Sequence, residues 1–545
     1  MGAVARSTLP FGMTLIVTLA LKGDGGHISL FRYRDLSRTL LITIMLPEVA
    51  MATAPAQKTA ATAPGLKRSL SVWQAVGLSL ALMAPSMAAN INPQGAIGAG
   101  RAVPLAFLIA AVGVLFVAYT FARLCQYYRH SGSVYAFVGA TLGPRTGVVA
   151  GWGLVGTYTF YAVTTAGAAG VFGSGLFDSL GIWKNQPSWS PILFVGIALA
   201  LALLLAALPA KGGTNVLLVV ETLTVALILV VTVTVLVKVI GHTAPGGAHF
   251  TMTVFSLSPG TSVSALFLGV VFGFLSFAGF EASATLGEEA RRPSRDIPRA
   301  ILGVAIFGGV YFVVVTAAEV MGFGTTSSGL TAFAHSPSLL GDLGSSYVGA
   351  WVGNVITAGT TVSAFGCCLA SIVAASRVVY AMSRDSFGSR GVGAAHQRWG
   401  TPTAATGLVT VFAVAIYLIY VGVSTQPSSV AENAFFWSGT IGTLILLVVY
   451  VLATVGMVSL VFVRRRMPSV PMWQIVIPIA AIIVLGYTLY RNVYPYPSGD
   501  GYWFPIVGGA WLVAAVLAVL LAPGTARRLG AALAAREGIT GAGDS

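Results

Sequence analysis

The chain is poor in charge. Only 8% of its 545 residues are charged, whereas 56% are hydrophobic. A water-soluble protein carries about 25% charged residues, and a chain with so few cannot cover a surface that faces water. The composition therefore excludes a soluble globular protein and indicates an integral membrane protein.

Residues that usually carry enzymatic or redox chemistry are also scarce. The three cysteines, Cys125, Cys367 and Cys368, form neither a CxxC metal motif nor a disulfide framework, and we interpret them as small apolar packing residues. The six histidines lie in the tail or in loops, and the sequence has no phosphate-binding glycine loop. We therefore predict that the protein is not an enzyme, needs no cofactor or metal, and is not driven by ATP.

Apolar runs of about 20 residues, the length that crosses a bilayer as a helix, recur along the chain. They predict an all-α protein with about twelve transmembrane helices, numbered as spans 1 to 12. Spans 3 and 8 are longer than an upright helix needs, so tilt or a cytoplasmic extension is expected. The approximate bounds are 73–98, 102–122, 147–177, 189–209, 214–240, 261–287, 300–322, 346–381, 404–422, 434–460, 472–489 and 503–522.

The 30 lysines and arginines are divided unequally between the two sides of these spans. If the tail before span 1 is cytoplasmic, 20 of them fall on that side and four on the other, while six precede residue 60. Cytoplasmic loops carry an excess of Lys and Arg, so both termini are predicted to be cytoplasmic. This bias explains the net charge of +14 without a nucleic-acid partner.

Residues 1–50 fit the membrane pattern poorly. The stretch "FGMTLIVTLAL" is too short to span, and no convincing signal-peptide cleavage site follows it. Met51 opens a polar tail, and we expect residues 1–50 to be an over-extended start or a disordered appendage outside the mature protein. The predicted organisation is an N-terminal tail over 1–67, a ten-helix core over 68–460, two additional spans over 461–522 and a cytoplasmic tail over 523–545.

Spans 1 and 6 each contain a helix-breaking signal. Pro85 lies in the middle of span 1, followed by Ser86, and Gly279 follows Ala278 in span 6. Unwound backbone is tolerated at membrane depth only where protein or a water-filled cavity satisfies it, and a pair of interrupted helices in matching halves indicates a transporter site. Since each of these spans is the first of five, the second half would have inverted topology. The alternative is that both residues merely kink their helices.

The stretch around the second break reads "FAGFEASATLGEEARRPSRDIPRAI". It combines an F-x-G-F-E core, L-G-E-E-A and P-x-R-D-I-P-R-A-I, and it is supported by "RHSGSVYAFVGATLGPRTGVVAGW" and by "SRVVYAMSRD" followed by "TPTAA". Over about residues 68–490 the chain resembles the amino acid–polyamine–organocation (APC) superfamily, and more narrowly its bacterial amino acid permeases. The resemblance implies two inverted five-helix repeats, two further helices, and a substrate held at the midplane by the two breaks.

Broken helices can bind an amino acid without charged side chains. The N-terminus of a half-helix offers unpaired N–H groups and positive dipole to a carboxylate, so we expect the substrate carboxylate on the amides of Ser86, Met87 and Ala88. The substrate amine is expected against carbonyls near four residues, Met83, Ala84, Phe277 and Ala278. Many family members have a Gly-Ser-Gly-like first break, whereas this chain has Ala-Pro-Ser-Met-Ala, so specificity for small amino acids does not follow.

Three acids lie within the spans, where an ionisable residue is a functional hypothesis. Glu221 of span 5 falls where many proton-coupled relatives carry a lysine, which makes it a candidate proton carrier; the alternative is a neutral glutamate bonded to the first break. Glu281 follows the second break and could share the proton, although structural support of the freed amides is our preferred interpretation. Glu319, near the outer end of span 7, is expected to be a solvated or vestibule residue.

Aromatic and polar residues complete the candidate site. Tyr158, Phe277, Phe280 and Trp437 are candidates for pocket or gate, with ordinary packing as the alternative. Glu288 is expected to pair with arginines of the cytoplasmic loop over 288–299 and so to help close an inner gate, unless that loop is simply solvated. Hydroxyls of span 8 could ligate sodium or could serve as helix contacts: Thr360, Thr361 and Ser363.

These features together predict a secondary active transporter of the plasma membrane that imports amino acids by alternating access, with protons favoured over sodium as the coupling ion. An amino acid exchanger and a polyamine or other organic-cation carrier are the alternatives within transport. A polyamine lacks a carboxylate and should need an additional acid, so Glu281 facing the pocket would favour it. A membrane sensor or a channel is the alternative from another class. The sequence does not predict the oligomeric state.

Overall fold

The computed structural model describes residues 71–128, 132–207, 213–258, 260–287, 290–387, 391–394, 396, 401–467, 469–497, 499–521, 524 and 528, and the backbone of three strands before residue 43. Two compact units, Met1–Ala60 and Ala61–Ser545, are described separately.

The smaller unit contains a three-stranded sheet. Strand β1 (Val4–Leu9) pairs antiparallel with β2 (Met13–Thr18), which pairs in parallel with β3 (Thr39–Ile42). Strand β2 lies within the apolar stretch that is too short to span. The description as all-α therefore applies to the larger unit, whose described residues contain helices and no extended strand. Whether residues 1–50 belong to the mature protein stays a prediction.

Each of the twelve predicted spans contains a helix, and eleven stretches of the described residues are long and apolar enough to cross a membrane. Span 4 is a shorter apolar helix. The helices of the larger unit are α1 (Val72–Met83), α2 (Pro85–Gly95), α3 (Val103–Tyr127), α4 (Val134–Leu142), α5 (Pro144–Ser179), α6 (Ser190–Ala207), α7 (Gly213–Ile240), α8 (Val263–Phe277), α9 (Pro293–Phe323), α10 (Ser327–His335), α11 (Leu339–Tyr347), α12 (Ala350–Phe387), α13 (Thr403–Val423), α14 (Val430–Val458), α15 (Val476–Val493) and α16 (Trp503–Leu521).

Span 1 is broken where its proline predicts. Helix α1 ends at Met83, and Ala84 adopts a left-handed conformation with φ 43° and ψ 62° before α2 begins at Pro85. Proline is suited to the first position of a helix because it has no N–H to leave unpaired and its φ is already helical. Span 1 therefore consists of two half-helices, and the N-terminus of α2 lies inside the protein. We call the Ala84–Pro85 junction the first break.

Span 6 is broken at its glycine. Helix α8 ends at Phe277, and a short 3₁₀ helix begins at Ala282. Between them Gly279 has φ 104°, a conformation that glycine adopts without a steric penalty. A Cβ on Gly279 would lie 2.8 Å from the backbone carbon of Leu82, so the end of α1 touches this segment. We call residues 278–281 the second break.

Small residues allow the central helices to approach closely. The long helix α5 packs against α12 and α14, and a Cβ on Gly167 of α5 would lie 2.6 Å from the carbonyl oxygen of Ala431. Few residues of helices α15 and α16 are buried inside the protein. The buried residues therefore lie mainly among the first ten spans, and the division into a ten-helix core and two additional spans stays a prediction. The inverted-repeat relation between the two halves stays a prediction.

The close contact at the second break generates a stability prediction. Gly279→Ala should destabilise the protein by about 1–3 kcal/mol, because alanine at positive φ is strained and its methyl group clashes with Leu82. Gly303→Ala is the matched control, because Gly303 is exposed and no atom lies within 4 Å of the position that its new methyl group would take. Thermal unfolding in detergent should show a lower midpoint for Gly279→Ala alone, and equal midpoints would contradict the strain.

Candidate functional site

The first break is bound by an acid from another helix. Glu221 of α7 is 7% exposed, although α7 turns several valines and leucines outward. Its Oε1 accepts a hydrogen bond from the Ser86 backbone N–H at 2.9 Å, and its Oε2 accepts one from the Ser86 hydroxyl at 3.0 Å. The carboxyl group thus caps the N-terminus of α2, where positive dipole and unpaired amides favour an anion.

This cap changes the expected carboxylate site. The N–H of Ser86 is taken by Glu221, and the N–H of Ala88 donates to the carbonyl of Ala84 at 2.9 Å. In the part of the chain that the structure describes, Met87 N–H has no hydrogen-bond partner. Of the three amides expected to hold the substrate carboxylate, only that of Met87 is available in this conformation. The carbonyl of Ala84, expected near the substrate amine, is used by the same helical bond.

Glu281 is enclosed at the second break. Its Oε1 accepts a hydrogen bond from the Tyr158 hydroxyl at 3.2 Å, and its Oε2 accepts from the Tyr450 hydroxyl at 2.9 Å and from the Gly279 N–H at 3.2 Å. The carboxyl group therefore satisfies an amide freed by the break. This geometry supports the structural role preferred from the sequence, and Tyr158 takes part as a hydrogen-bond donor to the acid.

Two further side chains connect the breaks. The Ser79 hydroxyl of α1 donates to the Phe280 carbonyl at 3.0 Å and accepts from the Ser283 N–H at 3.1 Å. The Cys367 thiol of α12 donates to the Leu82 carbonyl at 2.9 Å. Sequence reasoning assigned no role to Ser79 and treated Cys367 as apolar packing. The residue types alone carry no signal for these bonds, because each partner lies in a distant span.

A small buried cavity of about 20 Å³ lies beside the first and second breaks. A volume of that size holds about one water molecule. Four of the predicted substrate-binding residues line it: Met83, Met87, Ala88 and Ala278. Sequence reasoning did not identify the other lining residues, which are Leu82, Asn92, Tyr161, Thr164, Thr165, Leu275, Cys367 and Phe435.

The remaining predicted pocket residues do not line this cavity. Ala84 and Ser86 belong to the capped backbone at the first break. Phe277 turns toward α9, with its ring centroid 5.2 Å from that of Phe312, and Phe280 packs edge-on against Phe121 and Tyr450. These aromatic rings fill the protein around the breaks, so their positions support the packing alternative.

The predicted gate residues are Trp437 and Glu288. Trp437 does not line this cavity, and its gate role stays a prediction. Trp437 packs edge-on against Tyr420 of α13 and lies 6.4 Å from the ring of Phe504, on the side of α14 away from the cavity. Phe435 lines the cavity instead, because residues two positions apart on a helix point in nearly opposite directions. Glu288 lies outside the described residues, and the inner-gate expectation stays a prediction.

Asn92 is the polar side chain in the lining with unused capacity. Its Nδ2 donates to the Ser276 hydroxyl at 2.6 Å, whereas its buried Oδ1 has no hydrogen-bond partner among the described residues. The hydroxyls of Thr164 and Thr165 donate to backbone carbonyls one turn back, and the Tyr161 hydroxyl pairs with that of Thr443 at 3.0 Å. Asn92 therefore brings a buried acceptor without a described partner to the residues that line the cavity.

The hydroxyls of span 8 are partly committed elsewhere. Thr360 donates to the Ile356 carbonyl at 2.7 Å, and Thr361 donates to that of Thr357 at 2.8 Å. The buried Ser363 hydroxyl neighbours Glu221 but makes no hydrogen bond that meets normal geometry with the described residues. These bonds are those of ordinary helix contacts, the alternative to a sodium site.

Glu319 is buried, whereas the sequence predicts a solvated or vestibule residue. Its side chain is 0% exposed, and neither carboxyl oxygen has a hydrogen-bond partner in the described part of the protein. The sequence position near the end of span 7 suggested solvent contact. The residue is buried instead because α9 packs against α7, α10 and α11. The short helices α10 and α11 were not predicted from the sequence.

Two broken membrane helices around a buried cavity define the core of a multi-pass membrane transporter. A family model described as "Amino acid permease" matches residues 72–528, and the chain therefore belongs to the amino acid permease family. It is a small-molecule permease and not an enzyme, as the resemblance to the APC superfamily implied.

Individual proteins of known sequence are similar to this chain at 24–30% identity. The low-affinity putrescine importer PlaP of Escherichia coli strain K12 is 28% identical over 65% of this chain and 75% of its own length. The branched-chain amino acid permease BcaP of Bacillus subtilis strain 168 is 24% identical over 63% of this chain and 72% of its own. The uncharacterized transporter Rv1999c of Mycobacterium tuberculosis is 30% identical over 62% and 70%, respectively. These relatives support transport of small molecules through a membrane.

The cap on α2 generates a second prediction. Glu221→Leu should lower stability by about 1–3 kcal/mol, because the buried Ser86 N–H and hydroxyl lose their acceptors. Glu221→Gln should cost less, because its amide can accept from the N–H and donate to the hydroxyl. Thr222→Val, at an exposed position on the same helix, is the control in thermal unfolding. A Leu variant as stable as the Gln variant would contradict the capping role.

Proposed function

We propose that this protein imports an amino acid with an apolar side chain across the plasma membrane, coupled to protons, with both termini in the cytoplasm. The proposed substrate class is based on the residues that line the small cavity beside the two breaks. Leu82, Met83, Met87, Leu275 and Phe435 supply apolar walls. The polar groups available beside them are the Met87 N–H and Asn92 Oδ1, which suit the two ends of a zwitterion.

None of the described residues that line the cavity carries a carboxylate. A polyamine carries several ammonium groups and no carboxylate, so its site should supply acids. Glu281 is the acid that would have favoured such a substrate, but its oxygens accept bonds from Tyr158, Tyr450 and Gly279 instead. The relatives include both a putrescine importer and a branched-chain amino acid permease, and this lining favours the second chemistry.

The size of the cavity fits a transporter whose substrate passage is closed. A space of about 20 Å³ is too small for any amino acid, so its walls must separate before substrate binds. Helices α1 and α2 meet at a break, as do the two halves of span 6, and each half can move without distorting a continuous helix. Alternating access then proceeds by movement of these segments against the rest of the core.

Proton coupling is proposed from the shared use of one helix end. The Glu221 carboxyl occupies the N-terminus of α2 through two bonds to Ser86, and the free Met87 N–H lies one residue further. An ionised Glu221 would repel a substrate carboxylate there, since like charges disfavour each other at short range. Protonation of Glu221 removes that repulsion, so proton and substrate would bind together. By reciprocity, substrate binding would favour protonation.

The orientation rests on the distribution of Lys and Arg. Twenty of these residues fall on the side assigned to the cytoplasm and four on the other. Because positively charged loops remain in the cytoplasm, the outer side would carry α10 and α11. Cysteine labelling of residues in the loops on each side with an impermeant reagent would determine this orientation.

The substrate proposal predicts a selective uptake pattern. Proteoliposomes with an imposed inward proton gradient and no sodium should accumulate leucine, isoleucine, valine or methionine, and they should not accumulate putrescine. Phe435→Ala enlarges the cavity and should shift the preference toward larger side chains, whereas Trp437→Ala, outside the lining, should keep the wild-type ranking. Uptake of putrescine without any amino acid would overturn the proposal.

The coupling proposal predicts a separation of two activities. Glu221→Gln cannot ionise, so gradient-driven accumulation should be lost while substrate exchange across the membrane continues. Both activities are measured in the same proteoliposomes, with the second as counterflow of labelled substrate. Accumulation that requires sodium, or a Glu221→Gln variant that still concentrates substrate under a proton gradient, would contradict proton coupling through this residue.

A further inference from the structure

A second cavity lies between the last two turns of α5, helix α11 and the first two turns of α12. Its volume is about 120 Å³, against about 20 Å³ for the cavity beside the breaks, and the two cavities share no lining residue among those described. Because one water molecule occupies only a small part of such a volume, the second cavity has room for a small organic group. Its lining residues Ser179 and Ser345 are exposed, so the cavity can be reached from the protein surface.

Most of the side chains that line this second cavity are polar. Phe172 of α5 supplies an apolar wall. The lining contains one acid, Asp342, and no Lys, Arg or His among the described residues. The cavity therefore carries negative charge and should attract a cation. Its polar side chains are those of Ser179, Ser338, Asp342, Ser345, Asn354 and Thr357.

Asp342 has no counter-ion in the described part of the protein. Its Oδ2 accepts a hydrogen bond from the Ser336 hydroxyl at 2.6 Å, whereas its Oδ1 accepts none, and neither oxygen forms an ion pair with a described residue. Burial raises the pKa of Asp342, because the ionised carboxylate loses hydration without gaining a neighbouring positive charge. A cation bound in the cavity would supply that charge and stabilise the carboxylate.

A buried hydrogen-bond network holds the lining in place. The Ser338 hydroxyl lies 3.1 Å from that of Thr357 on α12. Asn90 of α2 donates to the Ser338 hydroxyl at 2.9 Å, and its Oδ1 accepts from the Leu340 N–H at 2.7 Å. Both Asn90 and Ser338 are buried. The start of α11 is thus fixed against α2 and α12 before any ligand binds, and a site formed in advance lowers the cost of binding.

The chemistry of the lining favours an organic ammonium ion over a metal ion. The described residues contain no group of three His, Cys, Asp or Glu that could hold a metal, and a hard cation such as Ca²⁺ takes six or more oxygen ligands close together. An ammonium group donates three hydrogen bonds. The lining offers it the Asp342 carboxylate, several hydroxyls and the Asn354 amide oxygen, while Phe172 offers an apolar surface to an attached carbon chain.

We propose that this cavity is an outer binding site for a primary ammonium group, with Asp342 as its counter-ion. The site is distinct from the small cavity at the breaks, and the inference goes beyond the proposed function because binding here requires no transport. The ammonium group can belong to an amino acid or to a free aliphatic amine. In the orientation proposed above, the cavity lies on the outer side, where an imported substrate arrives.

The test measures binding of n-butylamine, which carries the ammonium group without a carboxylate. Ligand-observed NMR on the purified full-length protein in lipid nanodiscs should detect binding to the wild type at constant ionic strength. Asp342→Asn should weaken the affinity by about tenfold or more, because a charge-assisted hydrogen bond is lost, while the new amide oxygen can still accept from Ser336. Asp500→Asn is the matched control, because Asp500 is exposed outside the lining, and it should leave the affinity unchanged.

A second variant keeps the proposal testable if Asp342→Asn does not fold. Asn354→Leu removes an acceptor and narrows the cavity without changing its charge, and it should also weaken binding. Wild-type affinity in either folded variant, or no binding to the wild type, would overturn the site.

Competition identifies the ligand class. Displacement of n-butylamine by leucine would support the site and assign it to the ammonium group of amino acids, whereas displacement by putrescine alone would support it as a site for free amines. Equal displacement by sodium or potassium would reject an organic ammonium site. A failure of proton-driven uptake would overturn the proposed function and would leave these binding results unaffected.

Discussion

The structure depends on satisfying the backbone groups that two broken helices expose away from water. A buried helix end without partners costs free energy for each unpaired amide or carbonyl, and a membrane offers no solvent in compensation. Here the partners come from other spans: Glu221 binds the Ser86 N–H, and Cys367 binds the Leu82 carbonyl. Ser79 bridges the two breaks themselves. The broken segments persist because the rest of the core supplies these bonds.

The two acids at the breaks, Glu221 and Glu281, are suited to different roles because their hydrogen-bond partners differ. Glu281 accepts bonds from two tyrosine hydroxyls and from the Gly279 N–H, so its movement would leave several buried donors unsatisfied. Among the described residues, Glu221 makes its hydrogen bonds to Ser86, and the hydroxyl of Ser86 can reverse its direction to accept a bond from a protonated acid. A change in protonation therefore disturbs less structure at Glu221, which makes it the more suitable of the two for a cycle.

Local signals in the sequence predicted the spans and both breaks, because hydrophobic run length, Pro85 and Gly279 act through neighbouring backbone. The partners of the breaks could not be predicted in this way. Ser79 and Cys367 look like small residues in apolar helices, and only the packing of distant spans makes them hydrogen-bond donors. The sequence also does not indicate that Phe435, rather than Trp437, lines the cavity. The side of a helix that faces a cavity is determined by how the helix packs against its neighbours and not by the size of its residues.

The position of Glu221 also explains how coupling could arise without a dedicated ion cavity. In the proposed cycle a proton and a substrate carboxylate would affect the same helix end, the proton by neutralising the acid and the substrate by bringing a second negative charge. The free energy that links them in this proposal would be the electrostatic repulsion avoided at the N-terminus of α2. Because Glu221 and the N-terminus of α2 are buried in the protein, this repulsion would be screened less than it is at a surface. A permease built this way needs only one acid at the break, together with a route that brings protons to it.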